Sequence, residues 1–489
     1  MVNRIAPAAF GGGKGSYMNS IRWWTLAVLV ISACSGPAPA SETPPTLVVY
    51  PAPPGLAPSG DYRVQANGRD VFVHSAKVLR GGPASFAAFD FAGGVEVVVT
   101  PTAAPNSVVV RPLSAGVKAT IDGQSVRFTL KQPANLSVEV NGWEKPLLLF
   151  ANPIEIDPPK PGDPNVLYFG PGVHEIGTTQ IKSGTTVYLA GGAVVRGKLM
   201  EGEEPRGLSF MKKKTYRPLF IMEGAKDVVF RGRGLLDMGG LDWHAKTTFV
   251  FRDCSNCRVE GIIVQDASAW VVAMFGCRDM HVDNVKQVCH RENSDGVDAV
   301  NTQKVLVENC FLRNNDDEIC VKTTAGPPAQ ESRDILVRKC VIWNDRAYAL
   351  GVTYETRADV KNLRFQDCDI IHDHGIGSLG IHVSDSATVQ DVTFEDIRIE
   401  DTRNRLIRIW IGKDMWGKDD RRGQVRDVTF RKIAIVDGPQ ARVELHGHDA
   451  EHRIENVLIE GLTVRGKPVT DLAGAKASVR HAEKVRFQR

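Results

Sequence analysis

The sequence predicts an all-β protein: a right-handed parallel β-helix, or solenoid, preceded by a small antiparallel β-sandwich domain. Two observations predict it. Beyond residue 165, short β-branched runs recur in a nearly constant phrase, of which VLVENCFLRN, ILVRKCVIWN and LRFQDCDIIH are consecutive examples. Before residue 155, shorter runs such as TLVVYP, DVFVHSAKV, VEVVVTP and SVVVRPL are punctuated by Gly, Pro and Asn at hairpin spacing.

In chain order, Arg22 precedes the apolar run WWTLAVLVIS, which ends at Ile31-Ser32-Ala33-Cys34 and then turns abruptly Pro- and Ser-rich. We expect a targeting leader over residues 1–34, with Met18 the more ordinary start. The run is too short to span a bilayer as a mature helix. Its I-S-A-C ending resembles a bacterial lipoprotein signal. That resemblance implies lipidation of Cys34, export and, with Ser35 following, an anchor in the outer membrane, on its periplasmic or cell-surface side; the alternative is plain export, periplasmic or secreted, with Cys34 incidental. Residues 35–44 read as a tether. Residues 45–155 form the expected sandwich, with a packing or substrate-positioning role, and IDPPKPGDP (156–164) is a linker. The β-helix is expected over 165–489.

The repeat supports the solenoid. One hydrophobic position of the phrase falls at Phe230, Val259, Val282, Val307, Val337, Phe365, Phe394, Phe430 and Ile459, in steps of 29, 23, 25, 30, 28, 29, 36 and 29 residues. Strand-only content at that period argues for a parallel β-helix, and the Leu and Asn ladder of leucine-rich repeats is absent. Turns of such a solenoid stack at roughly 4.8 Å, so equal offsets from the mark become neighbours. Asp316, Arg346, His374 and Arg403 each lie nine places after their mark, and Asp295 lies thirteen after Val282. A ladder of ionisable groups is therefore expected along one side.

Composition narrows the partners. A chain of 489 residues, 43% hydrophobic and 24% charged, supports two or three domains with sizeable cores. The net charge of +3 and the lack of any basic stripe beyond MKKK (211–214) exclude a nucleic-acid partner. A monomer is expected. Eight of the nine cysteines lie between Cys254 and Cys368, several at one place in the repeat, which reads as stacked buried thiols. Cys254 and Cys257 have no second pair, so no metal site is assigned and no cofactor is implied.

The stretch NSDGVDAVNTQKVLVENCFLRNNDDEICVK (293–322) carries the chemistry. Asp316 and Asp317 follow Asp295 by 21 and 22 residues, slightly less than one turn, so the three should meet. Hydrolysis of a glycosidic bond needs a protonated acid at the leaving oxygen and a carboxylate opposite it. Crowded carboxylates raise one pKa, which suits the acid.

NSD (293–295), NDD (315–317) with EICVK behind it, GRGLLD (232–237) and the opening YFGPGVHEIGTTQIKSGTTVYLAGGAVVRG (168–197) together resemble the polygalacturonase family of glycoside hydrolases. The likeness covers roughly residues 165–465. A sandwich ahead of the helix is also similar to dextranase-type relatives that share the aspartate trio. The resemblance implies Asp316 as general acid, Asp295 with Asp317 as the pair that activates water, inversion at the anomeric carbon, and Lys322 facing the same groove with Asn293 of the NSD turn. Asp298 is read as structural.

Two departures from the family pattern concern the substrate. Arg346-Ala347-Tyr348 stands where the family has Gly-His-Gly, and Ile381-His382-Val383-Ser384 stands where it has the Arg-Ile-Lys that fits a substrate carboxylate. Arg346, Arg405 and Arg408 are candidate replacements, since guanidinium pairs well with carboxylate. Trp270, Tyr348, Trp410 and Trp416 offer sugar-stacking faces. His372, Asp373 and His374 form a compact polar cluster expected to line a subsite with His382, and LHGHDAEH (445–452) has metal-ligand spacing. The insertion 405–423 and a loop at 198–216 are placed to close one end of the groove. Three functions compete: a hydrolase on a pectic or related α-linked glycan, or on a neutral glucan; a lyase holding Ca²⁺ through Asp295, Asp298, Asp316 and Asp317; and a glycan-binding solenoid without turnover.

Overall fold

The computed structural model describes residues 46–440 and 442–489. Cys34, the leader and the tether at 35–44 lie outside the described residues. Two sheets make the N-terminal part. One runs Thr46–Val49, Ala84–Ala92, Leu147–Pro153, Ala134–Val140, Val108–Arg111, with Val73–Ala76 beside Ala84–Ala92. The other runs Arg69–Val71, Tyr62–Ala66, Val95–Pro101, Ser125–Leu130, Thr120–Asp122. Phe89, Phe91, Leu136 and Leu149 from the first and Val64, Val97 and Val99 from the second share one core. The expected antiparallel pattern has one exception: Leu147–Pro153 runs parallel to Ala84–Ala92. A parallel neighbour needs a crossover, and the chain between these strands supplies it by visiting the second sheet.

From Val166 onward the chain coils as a right-handed parallel β-helix. The marked positions Phe230, Val259, Val282, Val307, Val337, Phe365, Phe394, Phe430 and Ile459 are register partners in unbroken succession. Their side chains fill the interior, where Phe365, Phe394 and Phe430 stack face to face at 4.8 and 5.0 Å, the spacing of the strands themselves.

The phrase recurs because the corner after each marked strand demands it. The residue two places after every mark, from Gly232 and Gly261 through Asn284, Asn309, Asp367 and Asp396 to Gly461, has positive φ. That left-handed corner favours Gly, Asn and Asp. Lys339 and Lys432 occupy it on two turns at φ 54 and 50°, costing about 1–2 kcal/mol each.

After each corner, a second face carries Val194, Leu235, Ile263, Val288, Phe311 and Val341 as an outward apolar column. Phe86, Leu148 and Phe150 of the sandwich cover it. A third face is an 11-stranded parallel sheet that includes Val272–Phe275, Val297–Val300, Ile319–Thr323, Tyr348–Thr356, Gly377–Val383 and Arg405–Ile411. The eight cysteines from Cys254 to Cys368 are buried and free. Among the described residues no helix is long and apolar enough to cross a membrane.

Candidate active site

The site forms where the chain turns from the second face into the third. Asp295 lies two residues before Val297–Val300, and Asp316 and Asp317 lie between Phe311–Asn315 and Ile319–Thr323. These two turns are 25 residues apart at the marks yet 22 apart at the third face, where Val297 pairs with Ile319. An irregularity between Val288 and Glu292 absorbs two of the three residues, and the turn before Val297 absorbs the third. Together they bring Asp295 level with Asp317, and one carboxylate oxygen from each of Asp295, Asp316 and Asp317 lies within 4.8 Å of the others. Gly296 makes the stacking feasible, since a Cβ there would lie 2.3 Å from the Glu318 carbonyl oxygen.

Lys322 lies beneath the trio, its Nζ 2.7 Å from Asp295 Oδ2, 3.0 Å from Asp298 Oδ1 and 3.7 Å from Asp317 Oδ2. It also faces the Trp270 ring at 4.2 Å. Asp317 Oδ1 accepts a bond from the Tyr348 backbone N–H at 3.0 Å, one turn along. Asp316 accepts from its neighbours: the Asp317 N–H at 3.0 Å and the Asn293 N–H and side-chain amide at 3.2 and 3.4 Å.

Burial, with the charges of Asp295 and Asp317, pushes the Asp316 carboxyl well above the usual carboxylate range. Burial raises Asp317 to about 7 against the pull of Lys322, with Asp295 adding to the rise. Asp298, fully buried and bonded by Cys320 Sγ at 3.0 Å, is pushed up to about 8 by burial, again against Lys322. Burial disfavours the Lys322 charge, but Asp295 and Asp298 hold it well above the ordinary lysine range.

Asp295, Asp316 and Asp317 open into a cavity of about 600 Å³. Asn293, Lys322, Arg346 and Trp270 line it, as do Tyr216, His244, Tyr354 and Glu355. Two loops roof it: Phe210, from the tip between Gly207–Leu208 and Lys214–Thr215, meets Trp416 edge to face at 4.6 Å. The mouth carries Arg346, paired with Glu292 at 2.6 Å.

Other sequence candidates stand behind the wall or elsewhere. Tyr348 is fully buried, its hydroxyl accepting from Arg408 at 2.6 Å. Arg405 and Arg408 are both committed to Glu444, at 3.0 and 2.8 Å. His382 is buried between Trp410, 4.3 Å away ring to ring, and Asp414, 3.1 Å away. His374 departs from the expected ladder. Ile371 is an extra residue in its strand, so Trp343 pairs with His372. A one-residue slip exchanges faces, and His374 therefore stacks over Asp345 rather than Arg346 and packs on Trp143 of the sandwich at 5.1 Å. His372 and His374 thus lie at the junction of the two parts instead of lining a subsite, and Asp373 between them is buried in the β-helix, bonded by Ser378 and Asn344. His446 in LHGHDAEH bonds Ser478, whereas His452 bonds Asp449.

Sequence reasoning did not name Tyr354, His244, Glu292 or Phe210. Glu292 immediately precedes Asn293, and Phe210 lies in the flagged loop. Tyr354 carries a subtler signal, an aromatic at φ 56° that the strand tolerates only under constraint.

A family model described as glycosyl hydrolases family 28 matches residues 171–476. An exopolygalacturonase (clone GBGE184) of Arabidopsis thaliana is 22% identical over 233 residues, 44% of this chain and 53% of its own length. A polygalacturonase of Persea americana is 25% identical over 194 residues, 39% of this chain and 33% of its own. The chain thus spans about half the length, or less, of the curated relatives it matches. Among solved structures, Dex49A from Penicillium minioluteum shares the fold at a TM-score of 0.65 and 15% identity, over 90% of this chain and 96% of that one. A hyperthermoactive exopolygalacturonase from Thermotoga maritima does so at 0.51 and 15%, over 66% and 83%.

Proposed function

The chain belongs to glycosyl hydrolases family 28, and from that premise we propose that it hydrolyses an α-linked glycan end-wise, with inversion, using Asp316 as general acid and Asp295 with Asp317 to activate water. The observation that carries this reading is the convergence of three carboxylates within 4.8 Å, two of them, Asp295 and Asp317, sharing Lys322. Burial and its two acidic neighbours favour the protonated form of Asp316, as an acid facing a leaving oxygen needs.

Carboxyl separation alone argues differently. Inverting pairs usually stand about 6.5–9.5 Å apart and retaining pairs about 5 Å. The nearest oxygens of the trio lie within 4.8 Å of one another, nearer the retaining spacing. We favour water as nucleophile because both partners of Asp316 are tied back, Asp295 to Lys322 and Asp317 to Lys322 and the Tyr348 N–H. A tethered pair suits holding a water between two oxygens better than advancing on carbon. Proton NMR of the first turnovers decides it: the β-anomer first supports inversion, and the α-anomer first assigns a covalent intermediate instead. Asp316→Asn should abolish product release with thermal unfolding unchanged; retained turnover would remove Asp316 from the role.

The roof of Phe210 and Trp416 supports attack at a chain end. A second reading concerns the sugar. The cavity presents Glu292, Asp295, Asp316, Asp317 and Glu355 against Lys322 and Arg346, and both cations are already paired. A uronate would find no uncommitted guanidinium, so a neutral unit fits the aspartate subsite better. Chromatography of digests of galacturonan, rhamnogalacturonan, dextran and pullulan tests this, and rapid release of galacturonate would overturn it.

A further inference from the structure

We propose that His372, His374 and Asp401 form a structural site for a first-row divalent metal ion, zinc by preference, at the seam between the β-helix and the sandwich. His372 and His374 end one turn and Asp401 begins the corresponding stretch of the next. His372 Nδ1 lies 3.2 Å from Asp401 Oδ2, and His374 Nε2 lies 3.7 Å from the same oxygen. Ligand atoms about 2.0–2.2 Å from a tetrahedral ion are separated by roughly 3.4 Å, and the three ligand atoms here lie within 4.8 Å of one another, close enough to form one face of such a site.

The second observation is His374 itself. Its side chain is 6% exposed, yet neither ring nitrogen has a hydrogen-bond partner. An imidazole this buried, facing carboxylate oxygens at 3.9 and 3.7 Å without a hydrogen bond to either, is costly unless a cation completes the arrangement. A metal ion satisfies Nε2 and leaves Nδ1 directed toward Asp345 Oδ1 at 3.9 Å, an oxygen that is also unmatched.

The outer groups fit the same reading. Ligating histidines characteristically donate their other N–H to a carboxylate, which fixes the tautomer. His372 does so to Glu139 Oε1 at 2.8 Å, across the seam. Trp143 of the sandwich and Trp343 of the β-helix pack against these rings on one side, and the Asp401 side stays open to solvent. Two imidazoles and one carboxylate form a borderline donor set that suits zinc and its neighbours, with solvent completing the fourth position. The ion would clamp two successive turns together and, through Glu139, hold the sandwich to them. The competing cation is Arg403, whose guanidinium lies 3.2 Å from Asp401 Oδ2 and would have to swing toward solvent.

The test uses the whole chain, purified, stripped with a chelator and titrated with Zn²⁺. One zinc per chain by mass spectrometry of the elements, with a rise in thermal midpoint on reloading, is expected. His374→Gln should lose both, while His448→Gln in the other histidine-rich stretch should lose neither. Cobalt loaded into the native chain should show the visible absorption of a tetrahedral N/O site, a readout independent of whether His374→Gln folds. No cobalt spectrum, no shift with Zn²⁺, or equal zinc in His374→Gln would each overturn the assignment and leave Arg403 and the two histidines as an ion-paired seam.

Discussion

Lys322→Met removes the cation from beneath three buried carboxylates while keeping length and apolar contact with Trp270. Stripping one partner from a buried ion pair costs about 3–5 kcal/mol because the remaining charges are orphaned. At 1.36 kcal/mol per unit, that corresponds to about 2–4 units of pKa on the carboxylates that relieve it by binding protons. Burial already holds Asp317 at about 7 and Asp298 at about 8 with Lys322 in place, so both should rise further. The sign follows from linkage. A carboxyl raised in the folded state binds protons that the unfolded chain releases, so its contribution to stability is complete below the ordinary carboxylate range and is lost as pH climbs through the folded value. The deficit of the variant should therefore be small near pH 4 and grow toward pH 8. The acid limb of kcat/KM should move up by at least about one unit, lowering activity at pH 7 about fivefold or more. Adding Asp298→Asn, which removes a carboxylate outside the cavity lining, should recover part of the stability. Thermal unfolding across pH and the pH profile of kcat/KM make the assay. An unmoved acid limb together with an unchanged midpoint at pH 8 would refute the reasoning.

Replacing Phe210 and Trp416 with Ala opens the roof; an aromatic pair contributes about 0.5–1.5 kcal/mol, so KM for a short oligosaccharide should rise roughly threefold to tenfold, and chromatography should show internal cleavage products that the native chain does not release. Gly296→Ala places a methyl 2.3 Å from the Glu318 carbonyl oxygen and should cost about 1–3 kcal/mol by overpacking, with kcat falling more than KM changes because Asp295 is displaced; a midpoint within one degree, or so, of native would contradict it.

Much of the fold was legible because its corners impose chemistry. A left-handed residue two places after each mark admits mainly Gly, Asn or Asp, so VEG, VDN, VEN, FQD, FED and IEG repeat in the chain and can be counted. The sandwich was legible as hairpins, but the parallel entry of Leu147–Pro153 depends on tertiary crossover, which no local turn signal encodes. In the site, the aspartates and Lys322 sit at countable positions. Tyr354, Phe210 and Trp416 reach the cavity from a constrained strand and from two long loops whose tips meet only in three dimensions.

The same arithmetic that found the trio mislaid His374, and the cause in both places is an irregular residue between faces. Counting from the marks assumes that every turn takes the same number of residues to reach the third face. The irregularity between Val288 and Glu292 shortens one turn and carries Asp295 to Asp317. The extra residue at Ile371 lengthens another and carries His374 out of the groove to the seam. Because side chains alternate along a strand, a slip of one is a change of face rather than a small error of position. On the marked face the turns from Phe365 to Phe430 pair without such a shift. These two departures from the repeat therefore bring the aspartates together and set His374 apart from them at the junction.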